Sequence, residues 1–321
     1  MYERYYGLKE RPFSLTSNPR YLLPTAQHSE ALATLEYCIS RRLGIAVLVG
    51  EAGTGKTTVI RAAQAALEFG GFVTLHNPLL TRSEFLEELA QGFNLSSDAL
   101  TSKPRLLLEL RYTLEEVMRR GTLAALIVDE AHALPHDILE EVRLLANLET
   151  DEEKLLPVVL VGQPELAARL NEPGLRQLKQ RVVLRASLGP LTLLETAAYI
   201  AGRMQVAGGE ASQVFTTEAV EMIHRSAAGL PRTISVICEN ALVGGFAARE
   251  HPITEDTVRQ VCRDLDLPVP PPGTERLVRR QDTHPPGRPP IVEGEDAAGP
   301  TPAAQNPFAS ASRPRPVLLK S

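Results

Sequence analysis

The sequence has no tryptophan, few other aromatic residues and no long apolar run. Its longest apolar stretches, at residues 45–49, 123–128 and 155–161, are far shorter than the ~20 residues that cross a bilayer. The three cysteines stand alone without a C-x-x-C pair, which favours reduced thiols over a disulfide framework. The N-terminus has no apolar segment of the kind found in secretion signals. We therefore expect a cytoplasmic protein without a membrane span of its own.

Neither sign of charge dominates the chain. Its 34 Lys and Arg residues stand against 39 Asp and Glu residues, which gives a net charge of −5. A chain with this balance has no global field that would draw it to nucleic acid or to an anionic membrane. Nucleic acid is therefore not an expected partner, although a local basic patch is left open.

The length of 321 residues is enough for two domains and an appendage. We predict an N-terminal linker and first helix at 1–35, an α/β domain at 36–190, a helical lid domain at 191–266 and a tail at 267–321. The tail is rich in proline and poor in aliphatic residues, so it cannot bury enough apolar area to offset its chain entropy. We expect it to be disordered.

Short β-rich runs alternate with amphipathic helical stretches between residues 45 and 161, which predicts a parallel sheet covered by helices. The predicted strands are 45–49, 72–75, 123–128 and 158–161, and the predicted helices are 56–69, 83–93, 104–120 and 135–149. The glycine pair at 70–71 is expected to stop the first of these helices. After Pro190 the pattern is helical: Thr192 and Glu195 form a capping box that opens a helix to about residue 205. Further helices from about residues 217, 231 and 254 complete an all-α lid domain.

A phosphate-binding loop follows the first predicted strand. The motif G-x-x-x-x-G-K-[ST] is matched in full by Gly50, Glu51, Ala52, Gly53, Thr54, Gly55, Lys56 and Thr57, and Thr58 comes next on the helix. The glycines let consecutive amides converge on one anion, the helix adds its positive N-terminal end, and Lys56 can reach the outer phosphates. The Thr57 hydroxyl is a ligand for Mg²⁺. The loop therefore predicts a P-loop NTPase with ATP and Mg²⁺ as cofactors, and its phosphate chemistry leaves GTP open.

An acidic pair follows a second buried strand. The run Leu123 to Val128 ends in Asp129 and Glu130, so both carboxylates are expected at the edge of the sheet that carries the phosphate loop. There Asp129 can hold the shell of Mg²⁺, and Glu130 can polarise the attacking water. The pair predicts that the nucleotide is hydrolysed as well as bound.

Four further candidates are single polar residues with more than one interpretation. Gln163 ends the strand 158–161 and could sense a terminal phosphate or simply start a helix. Arg176 and Arg181 lie in a cationic stretch that is typical of a solvated helix face. Arg232, in Gly229-Leu-Pro-Arg, stands at the start of a helix, where the helix dipole disfavours a cation unless an anion is near.

These elements occur in an order that resembles the AAA+ ATPases: a phosphate loop, a strand ending in Asp-Glu, a polar strand end, and Gly-x-Pro-Arg in a helical lid. More narrowly, the sequence resembles the ExeA family, also called general secretion pathway protein A, over roughly residues 1–265. The resemblance is carried by Met1-Tyr2-Glu3, Tyr6-Gly7-Leu8, Arg11-Pro12-Phe13, Asn18-Pro19-Arg20-Tyr21, the segments 28–35 and 161–166, and Gln180-Arg181.

The resemblance implies a role for each of these positions. Asp129 and Glu130 would be the Walker B pair, Gln163 would be sensor 1, and Arg232 would be sensor 2, contacting the γ-phosphate from the lid of its own subunit. Arg181, with Arg176 as second choice, would be an arginine finger that reaches a neighbouring subunit's nucleotide. A finger acting in trans requires a head-to-tail interface, and so a homo-oligomeric ring or partial ring. The segment 21–28 would form the wall on the base side.

Members of the ExeA family continue into a membrane span and a periplasmic peptidoglycan-binding region, neither of which has a counterpart in this sequence. We therefore expect an ATPase that drives assembly or positioning of a bacterial secretion or pilus-type envelope complex through a separate envelope or membrane partner, peripheral at the inner membrane. Two alternatives stay open: a DNA-associated helper ATPase of the transposition type, and a nucleotide-gated switch with little turnover. The lid interleaves Arg with Glu and Asp, which speaks against a basic stripe for DNA, and Glu130 speaks against a pure switch.

Overall fold

The computed structural model describes residues 1–16, 19–21, 23–67, 69–77 and 80–271, and a parallel sheet lies at their centre. Its strands are β1 (Ile45–Gly50), β2 (Phe69–Leu75), β3 (Leu123–Val128), β4 (Val158–Gly162) and β5 (Val182–Leu188). They pair in the order β2-β3-β4-β1-β5, and each neighbouring pair is parallel. All the strands therefore end at the same edge of the sheet, which places the segments that follow them together.

Helices cover both faces of the sheet and form the lid domain. They are α1 (Tyr2–Tyr5), α2 (Ala26–Ser40), α3 (Lys56–Ala66), α4 (Arg82–Gly92), α5 (Lys103–Arg119), α6 (His136–Leu145), α7 (Glu165–Arg169), α8 (Arg176–Lys179), α9 (Leu193–Val206), α10 (Ala211–Val214), α11 (Thr217–Ala227), α12 (Pro231–Ala248) and α13 (Glu255–Asp264). The predicted class, a P-loop α/β sheet followed by an all-α lid, is confirmed.

Alternate residues of each central strand contribute to different cores, because successive side chains of a strand point to opposite faces. Ile45 and Val47 pack with α4, α5 and α6 on one face. Ala46 and Leu48 pack with α2 and α3 on the other. Both faces are buried, which explains why β1, β3 and β4 read as continuous apolar runs rather than as alternating patterns.

Two of the predicted helix ends are wrong. The helix after the phosphate loop ends at Ala66 rather than at 69, and the glycine pair 70–71 belongs to β2 instead of stopping a helix. Gly71 pairs with Ala124, and a Cβ on Gly71 would lie 3.2 Å from the ring of Phe93, so the glycine permits a close approach of α4 to the sheet. The helix predicted at 135–149 is also shorter, because α6 ends at Leu145.

The strand β5 was not predicted from the sequence. It lies at the edge of the sheet beside β1, and its exposed and buried positions largely alternate from Val182 to Leu188. Polar residues such as Arg185 interrupt the apolar run on the solvent side. A half-buried edge strand therefore lacks the continuous apolar signal that marks the central strands.

The N-terminal segment packs into the lid. Tyr2, Tyr6, Leu8 and Phe13 are buried in the same apolar core as the residues of α9, α11, α12 and α13. The Tyr2 hydroxyl donates to the carboxylate of Glu239 on α12 at 2.9 Å. The capping box that opens α9 is present, with Thr192 and Glu195 bonded to each other's backbone.

The segment boundaries proposed from the sequence fall differently on the observed elements. The boundary at residue 35 lies inside α2, which runs on to Ser40. Leu267 and Val269, at the start of the predicted tail, pack against the lid core. The rest of that tail, from residue 272, lies outside the described residues, as does Asn18 of the N-terminal motif. None of the helices in the described ranges combines the length and the apolar character that a bilayer span requires.

Candidate nucleotide-binding site

Three of the predicted functional segments follow neighbouring strands at the same edge of the sheet. The phosphate loop follows β1, Gln163 follows β4, and Asp129 with Glu130 follows β3. Since β4 lies between β1 and β3, the loop and the acidic pair are separated by two strand spacings of about 4.8 Å each. The topology therefore brings together residues that are far apart in sequence.

The phosphate loop is a tight turn that only glycine can form at two of its positions. Gly53 has φ of 85° and Gly55, the N-cap of α3, has φ of 100°. Both values lie in the region that side chains disfavour. A Cβ on Gly53 would also lie 2.8 Å from the Cβ of Arg232, and one on Gly55 would lie 3.1 Å from Nε2 of His28. The loop is therefore shaped by its own turn and by close neighbours on two sides.

Lys56 lies inside the loop and is buried. Its ammonium group donates to the carbonyl oxygens of Gly50 at 2.7 Å and Glu51 at 3.1 Å. Burial lowers the pKa of Lys56, and the carboxylates of Glu130 and Asp129 oppose this shift because they lie close enough to stabilise its charge. The phosphate loop and the acidic pair are thus electrostatic neighbours.

His28 buttresses the loop from the N-terminal side. Its Nε2 lies 3.1 Å from the carbonyl oxygen of Thr54, and its Nδ1 lies 2.7 Å from the hydroxyl of Thr25. Because a carbonyl only accepts, Nε2 carries the proton and Nδ1 accepts from Thr25. Burial lowers the pKa of His28, which favours this neutral form. The sequence indicated His28 only as part of a resemblance, and gave no sign of this contact.

The acidic pair occupies the turn after β3. The Asp129 carboxylate accepts from the backbone N–H of Glu130 at 2.9 Å, and its other oxygen lies 3.8 Å from Nδ1 of His76. Glu130 has φ of 51°, so its side chain leaves the strand in a different direction from that of Asp129. Asp129 is largely buried, whereas the Glu130 side chain is 43% exposed. Glu130 can therefore reach a water molecule, and Asp129 is held in place.

The lid contacts the loop directly. Arg232 is the second residue of α12, and its backbone N–H donates to the carbonyl oxygen of Gly53 at 3.1 Å. Its side chain is exposed and lines the same cavity as Lys56. The cation of Arg232 thus lies beside the candidate phosphate site, and a neighbouring anion would offset its unfavourable place at a helix N-terminus.

Arg181 and Arg176 are both exposed and lie away from the loop of their own subunit. Arg181 immediately precedes Val182, which pairs with Ile45 at the beginning of β1, whereas the phosphate loop follows the end of β1. The length of the sheet, roughly 20 Å, separates them. Arg176 is the first residue of α8 in the same connection. Neither arginine side chain lies at the phosphate loop of its own chain.

One cavity of about 310 Å³ joins the loop, the lid and the N-terminal segment. Lys56, Thr57 and Glu130 line it together. The rest of its lining consists of Ser14, Leu15, Thr16, Tyr21, Leu23, His28, Ala52, Gly53, Gly55, Thr58, Leu191, Tyr199, Arg203, Pro231, Arg232 and Ser235. The cavity is of the size of small-molecule sites in general.

Sequence reasoning missed Arg203 and Tyr199 as residues of this cavity. Arg203 is buried, donates to the hydroxyl of Ser235 at 2.8 Å, and lies 4.7 Å from the ring centroid of Tyr21 and 5.1 Å from that of Tyr199. Such distances allow cation–π interactions. The available signal was a charged residue in the otherwise uncharged buried stripe of α9, which includes Ile200 and Met204.

The oxygen donors at this edge fit a hard divalent cation. Thr57 supplies a hydroxyl and Asp129 a carboxylate, which are ligand types that Mg²⁺ prefers, and Mg²⁺ in nucleotide sites is held by few protein groups together with phosphate and water. In the part of the chain that the structure describes, no cluster of three or more Asp, Glu, His or Cys side chains could hold a metal. The hydroxyl of Thr57 and the carboxylate of Asp129 are donor types that fit Mg²⁺ bound together with a nucleotide.

The chain is similar to known proteins in sequence and in fold. A family model described as AAA domain matches residues 40–170. General secretion pathway protein A of Aeromonas hydrophila is 41% identical over 259 residues, which cover 80% of this chain and 47% of that protein. ATP-dependent target DNA activator B of Escherichia phage Mu is 25% identical over 273 residues, 83% of this chain and 79% of that protein. Among solved structures, the ORC2 protein of Aeropyrum pernix superposes with a TM-score of 0.59 at 16% identity, covering 80% of this chain and 71% of that one.

The sheet order, the phosphate loop and the AAA domain match together define a P-loop protein of the AAA+ class. The likeness to ORC2 supports this fold and nothing finer. Within the class the chain is ExeA-like, since its resemblance to general secretion pathway protein A is confirmed at 41% identity. It spans about half the length of that relative, 47%.

Proposed function

We propose that this chain binds ATP with Mg²⁺ and hydrolyses it. The observation that carries the proposal is the cavity that Lys56, Thr57 and Glu130 line together. The carboxylates of Glu130 and Asp129 lie close enough to Lys56 to oppose the lowering of its pKa by burial. A phosphate loop alone supports binding. An accessible carboxylate across the same cavity supports hydrolysis as well, because a water molecule between it and a bound phosphate can be polarised.

Each residue of the site has a proposed task. Lys56 and the loop amides of residues 50–58 bind the phosphates, and Thr57 with Asp129 holds the Mg²⁺, which supplies charge neutralisation on the phosphate oxygens when it is bound. Glu130 orients and polarises water. Gln163, which follows β4 between the phosphate loop and the acidic pair, senses the terminal phosphate, and Arg232 approaches it from the lid.

The work that hydrolysis performs is proposed by analogy with the named relative. We propose that the ATPase cycle assembles or positions a secretion or pilus-type envelope complex, and that the chain reaches the inner membrane through a separate partner. The support is the 41% identity to general secretion pathway protein A. The match covers 47% of general secretion pathway protein A, so the activity of that whole protein is not assigned to this chain.

A second candidate is favoured by the other relative. The DNA activator B of phage Mu is matched over 79% of its length, which makes a DNA-associated helper ATPase the alternative function. Against it, two arginines of this region are paired with carboxylates: Arg259 with Glu255, and Arg11 of the packed N-terminal segment with Glu239. A basic stripe would need such charges to be free.

Phosphate release from ATP decides among the candidates. We expect turnover with Mg²⁺ and none with excess EDTA, and we expect duplex DNA to change the rate by less than about twofold at both 50 and 200 mM salt, a range over which DNA-driven stimulation would fall steeply. A severalfold stimulation by DNA that salt removes would establish the second candidate. Tight ATP binding without phosphate release would instead identify a nucleotide-gated switch.

We further propose that Arg181 completes the site of a neighbouring subunit in a homo-oligomer, with Arg176 as the alternative finger. Its exposure, and its position just before β5 at the edge of the sheet opposite the phosphate loop, support action in trans. We expect Arg181→Ala and Glu130→Gln to be inactive alone, because a finger is worth about 10³–10⁵ in rate. Mixing the two should restore activity, since some interfaces then pair an intact Arg181 with an intact Glu130.

The mixing experiment carries its own control. Size-exclusion chromatography of the mixture must show assemblies of the wild-type size, and Arg176→Ala mixed in the same way tests the alternative finger. Absence of rescue in mixed assemblies would contradict a role in trans.

A further inference from the structure

The turn that follows the acidic pair is tied to the segment that follows β4. The backbone N–H of Gln163 donates to Nδ1 of His132 at 3.4 Å. The preceding residue is Gly162, where a Cβ would lie 3.3 Å from the backbone nitrogen of His132. The end of β4 therefore approaches the turn so closely that the imidazole of His132 meets the amide of Gln163.

Arg169 ties the same two segments a few residues later. It is the last residue of α7, which begins directly after Gln163 and Pro164, and its guanidinium donates to the carbonyl oxygen of His132 and, at 2.7 Å, to that of Leu134. Bonds from a charged donor are stronger than neutral ones. The chain from Gln163 to Arg169 thus wraps around the turn and is fixed to it at both ends.

The imidazole of His132 also faces Glu130. Its Nδ1 lies 3.5 Å from Oε2 of the Glu130 carboxylate. A backbone amide can only donate, so the contact with Gln163 requires an unprotonated Nδ1, and such a nitrogen has no hydrogen to give to Glu130. While His132 accepts from Gln163, the Glu130 carboxylate is left for the cavity that it lines with Lys56.

We propose that His132 and Arg169 form a clamp that holds Gln163 and Glu130 in fixed positions relative to each other. His132 is then a positioning residue, because it is not among the residues that line the cavity. Its Nδ1 holds the backbone of Gln163, the proposed sensor of the terminal phosphate, and gives no hydrogen bond to the carboxylate of Glu130. This inference rests on the proposed hydrolysis for its effect on rate. The clamp itself is a contact between described residues and can be tested without turnover.

The rate test compares two substitutions of His132. Asparagine places Oδ1 where histidine has Nδ1, so His132→Asn can still accept from Gln163, whereas His132→Ala cannot. We expect His132→Ala to lower kcat by about 10- to 100-fold, the scale for a reacting group misplaced by about 1 Å, with KM and nucleotide affinity changed by less than about twofold. His132→Asn should keep most of the wild-type kcat. His136→Ala is the matched control, since His136 is exposed and pairs with Glu172.

A double variant tests whether His132 acts through Gln163. If the clamp sets the place of this side chain, His132→Ala should cost little further rate in a Gln163→Ala background, because the two changes remove one function. Losses that multiply would overturn the proposal. So would a wild-type kcat in His132→Ala, or a loss confined to KM.

Amide hydrogen exchange tests the clamp independently of hydrolysis. The Gln163 amide is expected to exchange faster in His132→Ala than in the wild type or in His136→Ala, and to stay protected in His132→Asn. Unchanged exchange at residue 163 would overturn the clamp. A wild type that binds ATP without releasing phosphate would overturn the proposed hydrolysis, and the exchange result would still decide the contact.

Discussion

Glu130→Gln is expected to keep nucleotide binding and to lose turnover. The change replaces one carboxylate oxygen by an NH2 group, and the resulting amide has nearly the same shape. The turn after β3 and the cavity wall are therefore preserved. The amide cannot accept a proton or polarise water as a carboxylate does, and general-base catalysis is worth about 10²–10⁴ in rate. We therefore expect a loss of kcat of at least about 100-fold, measured as phosphate release at saturating ATP.

Binding of a fluorescent ATP analogue provides the second measurement on Glu130→Gln. We expect affinity within about threefold of the wild type, because the phosphates are held by the loop and Lys56 rather than by Glu130. Glu218→Gln is the matched control: Glu218 is an exposed residue in the first turn of α11 and lies outside the cavity. A Glu130→Gln protein that hydrolyses ATP at the wild-type rate would remove Glu130 from the mechanism.

Lys56→Ala is expected to abolish useful nucleotide binding. The substitution removes the ammonium group that lies inside the loop. Each charge-assisted hydrogen bond that this group would give to a phosphate is worth about 1.5–3 kcal/mol. With the attraction between opposite charges added, we expect an affinity loss of more than about 100-fold. The measurement is equilibrium titration with ATP and Mg²⁺.

Stability is the confounding effect for Lys56→Ala, because Lys56 also satisfies the carbonyls of Gly50 and Glu51. Leaving such groups without donors costs about 1–3 kcal/mol of unfolding free energy. Thermal unfolding of Lys56→Ala and of the bulkier Lys56→Met separates this cost from the binding loss. Lys154→Ala is the control, because Lys154 is a partly buried lysine that pairs with Glu149 and lies outside the cavity. A folded Lys56→Met protein with wild-type affinity would contradict the assigned role of the lysine.

Much of the site could be predicted because its chemistry is encoded locally. The phosphate loop is a contiguous motif, and Asp129 with Glu130 directly follows an apolar strand, so both could be read without knowing the fold. The parallel sheet then brings them to one edge, since strands buried on both faces leave a continuous apolar signal. The class of fold and the pair of segments that form the cavity followed from these features.

The remaining features of the site and the fold depend on tertiary contacts, which no local sequence pattern predicts. Arg203 belongs to an amphipathic helix and becomes part of the cavity only because Tyr21 and Ser235 pack around it. Gly71 looked like a helix terminator, whereas its absent side chain makes room for Phe93. The contact between His132 and Gln163 joins residues 31 positions apart and depends on the order of β3 and β4 in the sheet.

The burial of the first residues among the lid helices limits where the polypeptide can be shortened. A protein cut at residue 35 would lose Tyr2, Tyr6, Leu8 and Phe13, and with them part of the filling between α9, α11 and α12. Phe13 alone is fully buried, and emptying such a position costs about 3–5 kcal/mol. A fragment that begins after residue 35 would therefore have a cavity in its lid core where Phe13 packs, and would be less stable than the longer chain.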